Sequence, residues 1–189
     1  MALRKVVLEQ DPMLRKRSRE VVDINDRIRT LVEDMWETMY ESNGIGLAAP
    51  QVGVLRRVVV IDATEWPEDE DEAGGEDDAD GAEAKPAEPQ PDPEIVKYVL
   101  INPEAIEVSD ETAVAREGCL SVPGKYGMVE RPVYVKVRAL GIDGAPFEVE
   151  GEGLLAKALM HEMDHLEGIL YTDIAESVED LETECKDQE

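Results

Sequence analysis

Two stretches of the chain repeat apolar residues at three- and four-residue intervals. Ile24, Ile28, Leu31, Val32, Met35, Trp36 and Met39 form one stripe, the spacing that sets side chains on one face of an α-helix. Asp23 or Asn25 is placed to cap its start and Asn43-Gly44 to end it, and Trp36 and the methionines are read as core. The second stripe, Leu154, Leu155, Ala158, Leu159, Met163 and Leu166, follows Gly151 and Gly153 and stops at Gly168. It predicts a helix of about four turns with a glycine stop. Leu55 to Ile61, Val96 to Ile101, Ala105 to Val108, Val133 to Ala139 and Phe147 to Val149 are rich in β-branched residues and bounded by Gly, Pro and Asp. They read as strands. Strands clustered between two helices predict an α+β fold, its mostly antiparallel or mixed sheets packed around the second helix.

The chain has 189 residues and no internal repeat, enough for one hydrophobic core, so residues 1–175 are read as a single domain. Residues 65–94 differ in kind, with fourteen acidic residues against the single base Lys85, a net charge of −13. Such a composition cannot bury enough apolar surface to fold, and it predicts a disordered, solvated insertion joining two strands. It supplies half of the chain's net −26; the rest is spread over the folded part and an acidic tail, residues 176–189. That balance excludes the basic patches on which nucleic-acid and anionic-membrane binding depend. Charges break the short apolar run between Met1 and Leu14, so no signal peptide or membrane span is expected and the location is read as cytoplasmic. Cys119 and Cys185 stand in such different surroundings that no disulfide is expected, and Cys185 reads as an exposed free thiol.

Met160-His161-Glu162-Met163-Asp164-His165 lies in the second predicted helix and holds both histidines of the chain. At i and i+4 the imidazoles project from one face and can meet a single metal ion. With Leu154 and Ala158 they form a stripe directed at the core, where a metal site stays dry. Glu162 points off that face yet reaches water at the ion, the placement of a hydrolase's general base. The alternative, two unrelated polar positions on a solvated helix, leaves unexplained why the motif takes up every histidine.

A lasting metal site takes at least three protein ligands. Tyr171 stands where the extended zinc-protease motif needs a third histidine, which excludes a metzincin. Glu176, Glu179 and Glu182 downstream remain as candidates, and so does Cys119 upstream. Cys119 sits in Arg116-Glu117-Gly118-Cys119-Leu120-Ser121-Val122-Pro123, read as a loop in which glycine allows close backbone approach. Most free cysteines are small buried hydrophobes. Beside a two-histidine helix that lacks a ligand, a metal-bound thiolate is the stronger reading. A Cys/His/His site with a fourth position open to water results. The Gly44 to Gly53 segment lacks the Gly-x-Gly-x-x-Gly spacing of a dinucleotide loop, since Ala49 breaks it and the segment follows a helix; a tight connection is its plain reading.

Three segments, in this order, resemble the peptide deformylase family: Gly44-Ile45-Gly46-Leu47-Ala48-Ala49-Pro50-Gln51-Val52-Gly53, Glu117-Gly118-Cys119-Leu120-Ser121, and His161-Glu162-Met163-Asp164-His165-Leu166-Glu167-Gly168. The resemblance runs from Val7 to about Ile174. The sequence departs from it at Met160, where the family commonly has Gln, and in the acidic insertion. It implies an enzyme that removes the N-formyl group from N-formylmethionyl nascent polypeptides and releases formate. Carried over by position, it implies Cys119, His161 and His165 as metal ligands and Glu162 as the catalytic acid/base. Gln51 and the backbone N–H of Leu120 then stabilise the oxyanion.

The same resemblance implies that Ile45, Gly46 and Leu47 present backbone groups to an extended peptide, as in strand addition, with Gly118 a further substrate-binding position. Fe(II) is the implied working ion, and zinc, nickel and cobalt are substitutes that the same donors accept. The implied partners are formylmethionyl peptides and nascent chains, met by a monomer in transient ribosome encounters. The acidic C-terminal residues lack the basic helix through which some relatives dock. Two other readings share the helix: a general metallopeptidase completed by a downstream Glu, and a non-catalytic metal-binding interaction protein whose acidic insertion is its working part. Glu162 and Gln51, dispensable for merely holding metal, weigh against the second.

Overall fold

In the computed structural model, which describes residues 2–64 and 95–181, the first apolar stripe is helix α1, Asp26–Glu41. Its cap is Asn25, whose side chain accepts from the N–H groups of Arg27 and Ile28 and so satisfies donors that a helix start leaves unpaired. The second stripe is α2, Gly153–Glu167, ended by Gly168 at φ 81°, a left-handed conformation that glycine adopts without steric cost. The strands are β1 (Gly46–Ala48), β2 (Val58–Asp62), β3 (Lys97–Val108), β4 (Thr112–Cys119), β5 (Val122–Pro132), β6 (Tyr134–Leu140), β7 (Pro146–Glu152) and β8 (Ser177–Asp180). They build two antiparallel sheets, ordered β1-β2-β3-β6-β7 and β4-β5-β8. The architecture is the α+β arrangement that the pattern predicts.

β2 shows where the core lies. Val59 and Ile61 share one apolar cluster with Ala156, Leu159 and Leu166 of α2, whereas Val58 and Val60 share another with Leu31, Met35 and Met39 of α1. Side chains alternate between the faces of a strand, so the five-stranded sheet carries α2 on one face and α1 on the other. A strand covered on both faces reads as a continuous apolar run, as Val58-Val59-Val60-Ile61 does. β6 is covered on one face only and alternates: Val135, Val137 and Ala139 are buried, while Arg138 is exposed and Lys136 half-buried.

The stretches 96–101 and 105–108, expected as separate strands, belong to the single strand β3. Its ladder shifts register between Ile101 and Glu104, where Asn102 takes φ 53°. The Asn102 side chain secures this irregularity by accepting from the Val21 N–H and donating to the Val21 carbonyl, both at 2.8 Å. The Cys119 segment, expected as a loop, is the end of β4 in a hairpin with β5. Thr112, Ala113 and Val114 are exposed in succession, so β4 has no alternation to announce it, and pairing decides its conformation. Residues 177–180, expected within the acidic tail, form β8 on β5, with all four residues exposed. The acidic insertion, residues 65–94, and residues 182–189, with Glu182 and Cys185, lie outside the described residues. Among the described residues no helix is long and apolar enough to cross a membrane.

Candidate metal centre and active site

His161 and His165 lie one turn apart on α2, both buried, with ring centroids 5.1 Å apart. β4 brings Cys119 to them across the register shift at Gly118/Cys119, an irregularity of the kind that re-aims a side chain. Its Sγ lies 3.2 Å from His165 Nε2. One donor atom from each of the three residues falls within 4.8 Å of the others, and this is the metal-ligating group found among the described residues. Glu176 and Glu179, the rival ligands, are exposed, and Glu179 accepts from the Tyr126 hydroxyl at 2.6 Å. Tyr171 is buried with its ring stacked on His161, centroids 6.1 Å apart.

The loop reading concealed Glu117. Glu117 lies two residues before Cys119 on β4, and both side chains meet α2, Glu117 Oε2 lying 2.8 Å from His161 Nδ1. Arg131 of β5 donates to Glu117 through Nε at 2.8 Å and Nη2 at 3.1 Å, and to Asp164 of α2 through Nη1 at 2.6 Å. With a carboxylate accepting from Nδ1, the Nε2 lone pair of His161 is left to face an ion, as in carboxylate–histidine–metal arrangements.

Burial raises the Glu117 carboxyl, but hydrogen bonds from His161 and Arg131 outweigh it and hold it down at about 2. Burial lowers His161, yet its hydrogen bonds to Cys119 and Glu117 prevail and push it up to about 10. The pocket therefore favours a positive charge between sulfur and carboxylate. A divalent cation meets that demand as a proton does, so the donor set fits a metal ion. Burial, and then repulsion from His161, drives His165 well below its ordinary value, keeping it in the neutral form that ligates. Burial pushes Glu162 up to about 7, and its Oε2 is buried with no hydrogen-bond partner among the described residues.

Gln51 lies in a short 3-10 turn, Ala49–Val52, directly after β1. The Ala48 N–H donates to its Oε1 at 2.8 Å, which turns Nε2 toward Cys119 Sγ at 3.4 Å and Ser121 Oγ at 3.3 Å. Leu120 and Ser121 make the turn between β4 and β5. A cavity of about 350 Å³ opens in front of these groups, lined by Ile45, Gly46 and Gly118 among others. Leu47 does not line it, because its side chain is fully buried in the core shared with α1. A Cβ on Gly46 would lie 2.5 Å from Glu162 Oε1, so glycine is needed there to leave room for the carboxylate.

Two histidines and a cysteine sulfur around one point, beside a buried carboxyl that burial pushes up to about 7, define a metal-dependent hydrolase. A family model described as polypeptide deformylase matches residues 3–180. The peptide deformylase of Agathobacter rectalis is 48% identical over 176 residues, spanning 93% of this chain and 92% of that protein. The crystal structure of peptide deformylase from Ehrlichia chaffeensis superposes with a TM-score of 0.76 at 36% identity, covering 92% of this chain and 88% of that one. A class I type b peptide deformylase from Acinetobacter baumannii, bound to Met-Ala-Ser, superposes at 0.74 with 30% identity over 92% and 98% of the two chains. The chain belongs to the polypeptide deformylase family, metal-dependent hydrolases that remove the N-formyl group from nascent polypeptides.

Proposed function

We propose that Cys119, His161 and His165 hold one divalent metal ion and that Glu162 moves the proton as N-formylmethionyl peptides are deformylated to formate and a free N-terminus. The convergence of the three donor atoms within 4.8 Å beside the Glu162 carboxyl carries this reading. A divalent ion held there supplies Lewis acidity, acidifying water and polarising a carbonyl. Glu162 takes a proton from the attacking water and returns it to the departing amine. Its burial suits it to both tasks, since a carboxyl titrating near 7 gives and takes protons at working pH.

Gln51 Nε2, held by the Ala48 contact, donates to the formyl oxygen as charge builds on it, and the N–H of Leu120 assists. Each such fixed donor is worth about 3 kcal/mol of barrier. β1 is the edge of its sheet, and Ile45 and Gly46 offer backbone groups there to an extended peptide, with Gly118 opposite. The Met-Ala-Ser held by the Acinetobacter relative is the kind of peptide this groove would release.

Fe(II) is the ion we assign to the site. Zinc, nickel and cobalt are acceptable to the same donors, and oxidation threatens a thiolate-bound iron. The partners are nascent chains in the cytoplasm, met by a monomer in brief ribosome encounters, because a net charge of −26 opposes lasting contact with RNA.

The test is formate release from formyl-Met-Ala-Ser with and without a chelator, on iron-loaded and zinc-loaded protein. Activity is expected with iron and lost to the chelator; a zinc form equally fast would overturn the iron assignment. Gly46→Ala should displace the Glu162 carboxylate and slow formate release roughly 10- to 100-fold, the cost of misplacing a catalytic group by about 1 Å. An unchanged melting temperature would show that the fold survives the substitution.

A further inference from the structure

Three cations line the cavity in front of the metal donors, Arg116, Lys125 and Lys157, in a chain with 45 acidic residues against 19 basic ones. Lys125 is committed elsewhere, its Nζ 3.1 Å from Glu9 Oε1. Arg116 and Lys157 form no ion pair among the described residues. The Arg116 guanidinium lies 3.6 Å from the centre of the Tyr126 ring, and Lys157 Nζ donates to the Arg116 carbonyl oxygen at 3.3 Å. Both side chains are thus steadied at one part of the rim by uncharged groups, and among the described residues no carboxylate neutralises their charge.

Their distance from the chemistry fixes which part of a substrate they meet. Lys157 is one turn before His161 on α2, about 6 Å along the axis. Arg116 is three residues before Cys119 on β4, at most about 10 Å along the strand. An extended peptide advances roughly 3.3 Å per residue. A substrate whose formyl group lies at Cys119, His161 and Glu162 therefore brings its second or third residue to these cations. We infer that Arg116 and Lys157 select formylated peptides with an Asp or Glu side chain at the second or third position, an inference that rests on the deformylase reading of the site. The field of a protein carrying −26 repels such peptides at a distance. Two cations at the rim, without an ion-pair partner among the described residues, offset that repulsion where the side chain docks, and the planar Arg116 fork matches a carboxylate.

The experiment compares kcat/KM for amidated formyl-Met-Asp-Ser and formyl-Met-Ala-Asp, each beside its Asn counterpart, with formyl-Met-Ala-Ser as free acid and as amide. At low ionic strength at least one Asp peptide should exceed its Asn counterpart by about three- to tenfold, the range two solvent-facing ion pairs supply. The ratio should fall toward one in roughly 0.5 M salt as screening shortens. The combined variant R116Q/K157Q should abolish the ratio, and K157R, which keeps the charge, should retain it. Equal rates for Asp and Asn peptides with the unsubstituted protein overturn the inference, as does a ratio that survives in the double variant. A preference shown only for free acid over amide assigns the cations to a terminal carboxylate and overturns it too. Absence of turnover with formyl-Met-Ala-Ser itself would instead overturn the deformylase reading, so the two failures are distinct.

Discussion

Replacing Cys119 by Ala is expected to remove the metal and the deformylase activity together. The sulfur is one of three donors, and two imidazoles alone rarely retain an ion. The loss should exceed the roughly 10- to 100-fold that partners behind the ligands contribute to metal affinity, so dialysed protein should hold far less than one equivalent by elemental analysis. The fold should persist, because Cys119 is only half-buried at the end of the β4–β5 hairpin and the hairpin's pairing does not depend on its side chain. A variant that kept a full equivalent of metal would refute the ligand assignment and revive the metallopeptidase completed by a downstream carboxylate. The exposure of Glu176 and Glu179 argues against that outcome.

The parts of this site that were legible in sequence are those whose spacing is set by one element. His161, Glu162 and His165 lie on a helix with an unambiguous apolar stripe, and both helices fall where that periodicity puts them. Glu117 and Arg131 were not legible, because their roles depend on β4 and β5 being strands. Those strands carry glycines and a run of exposed residues that erase the two-residue alternation. Gly46 was legible only as a small residue. Its closeness to the Glu162 carboxylate comes from packing α2 against β1, a contact between positions more than a hundred residues apart that no local pattern encodes. Asp164 sat inside the recognised motif, but its partner Arg131 is defined only in three dimensions.

Glu162→Gln is expected to lower kcat by about 10²- to 10⁴-fold, the contribution of a positioned proton carrier, while metal content stays at that of the unsubstituted protein. The amide has the shape of the carboxyl but cannot accept the proton. Stability should move the other way. Burial raises Glu162 from 4.5 to about 7, so between those values the folded protein binds more protons at this position than the unfolded chain does. By linkage, this group's contribution to stability is present below pH 4.5 and is lost as pH rises through about 7. In chelator-treated protein at pH 8, Glu162→Gln should therefore melt higher than the parent, with the difference vanishing near pH 4. In the loaded enzyme, kcat/KM should fall about tenfold per unit on the acid limb as Glu162 takes up its proton, and a cation nearby moves that limb below 7 by favouring the carboxylate. A Gln variant that lost its metal, or that turned over at the parental rate, would show that Glu162 holds the site together or stands aside from the chemistry, and in either case is not its proton carrier.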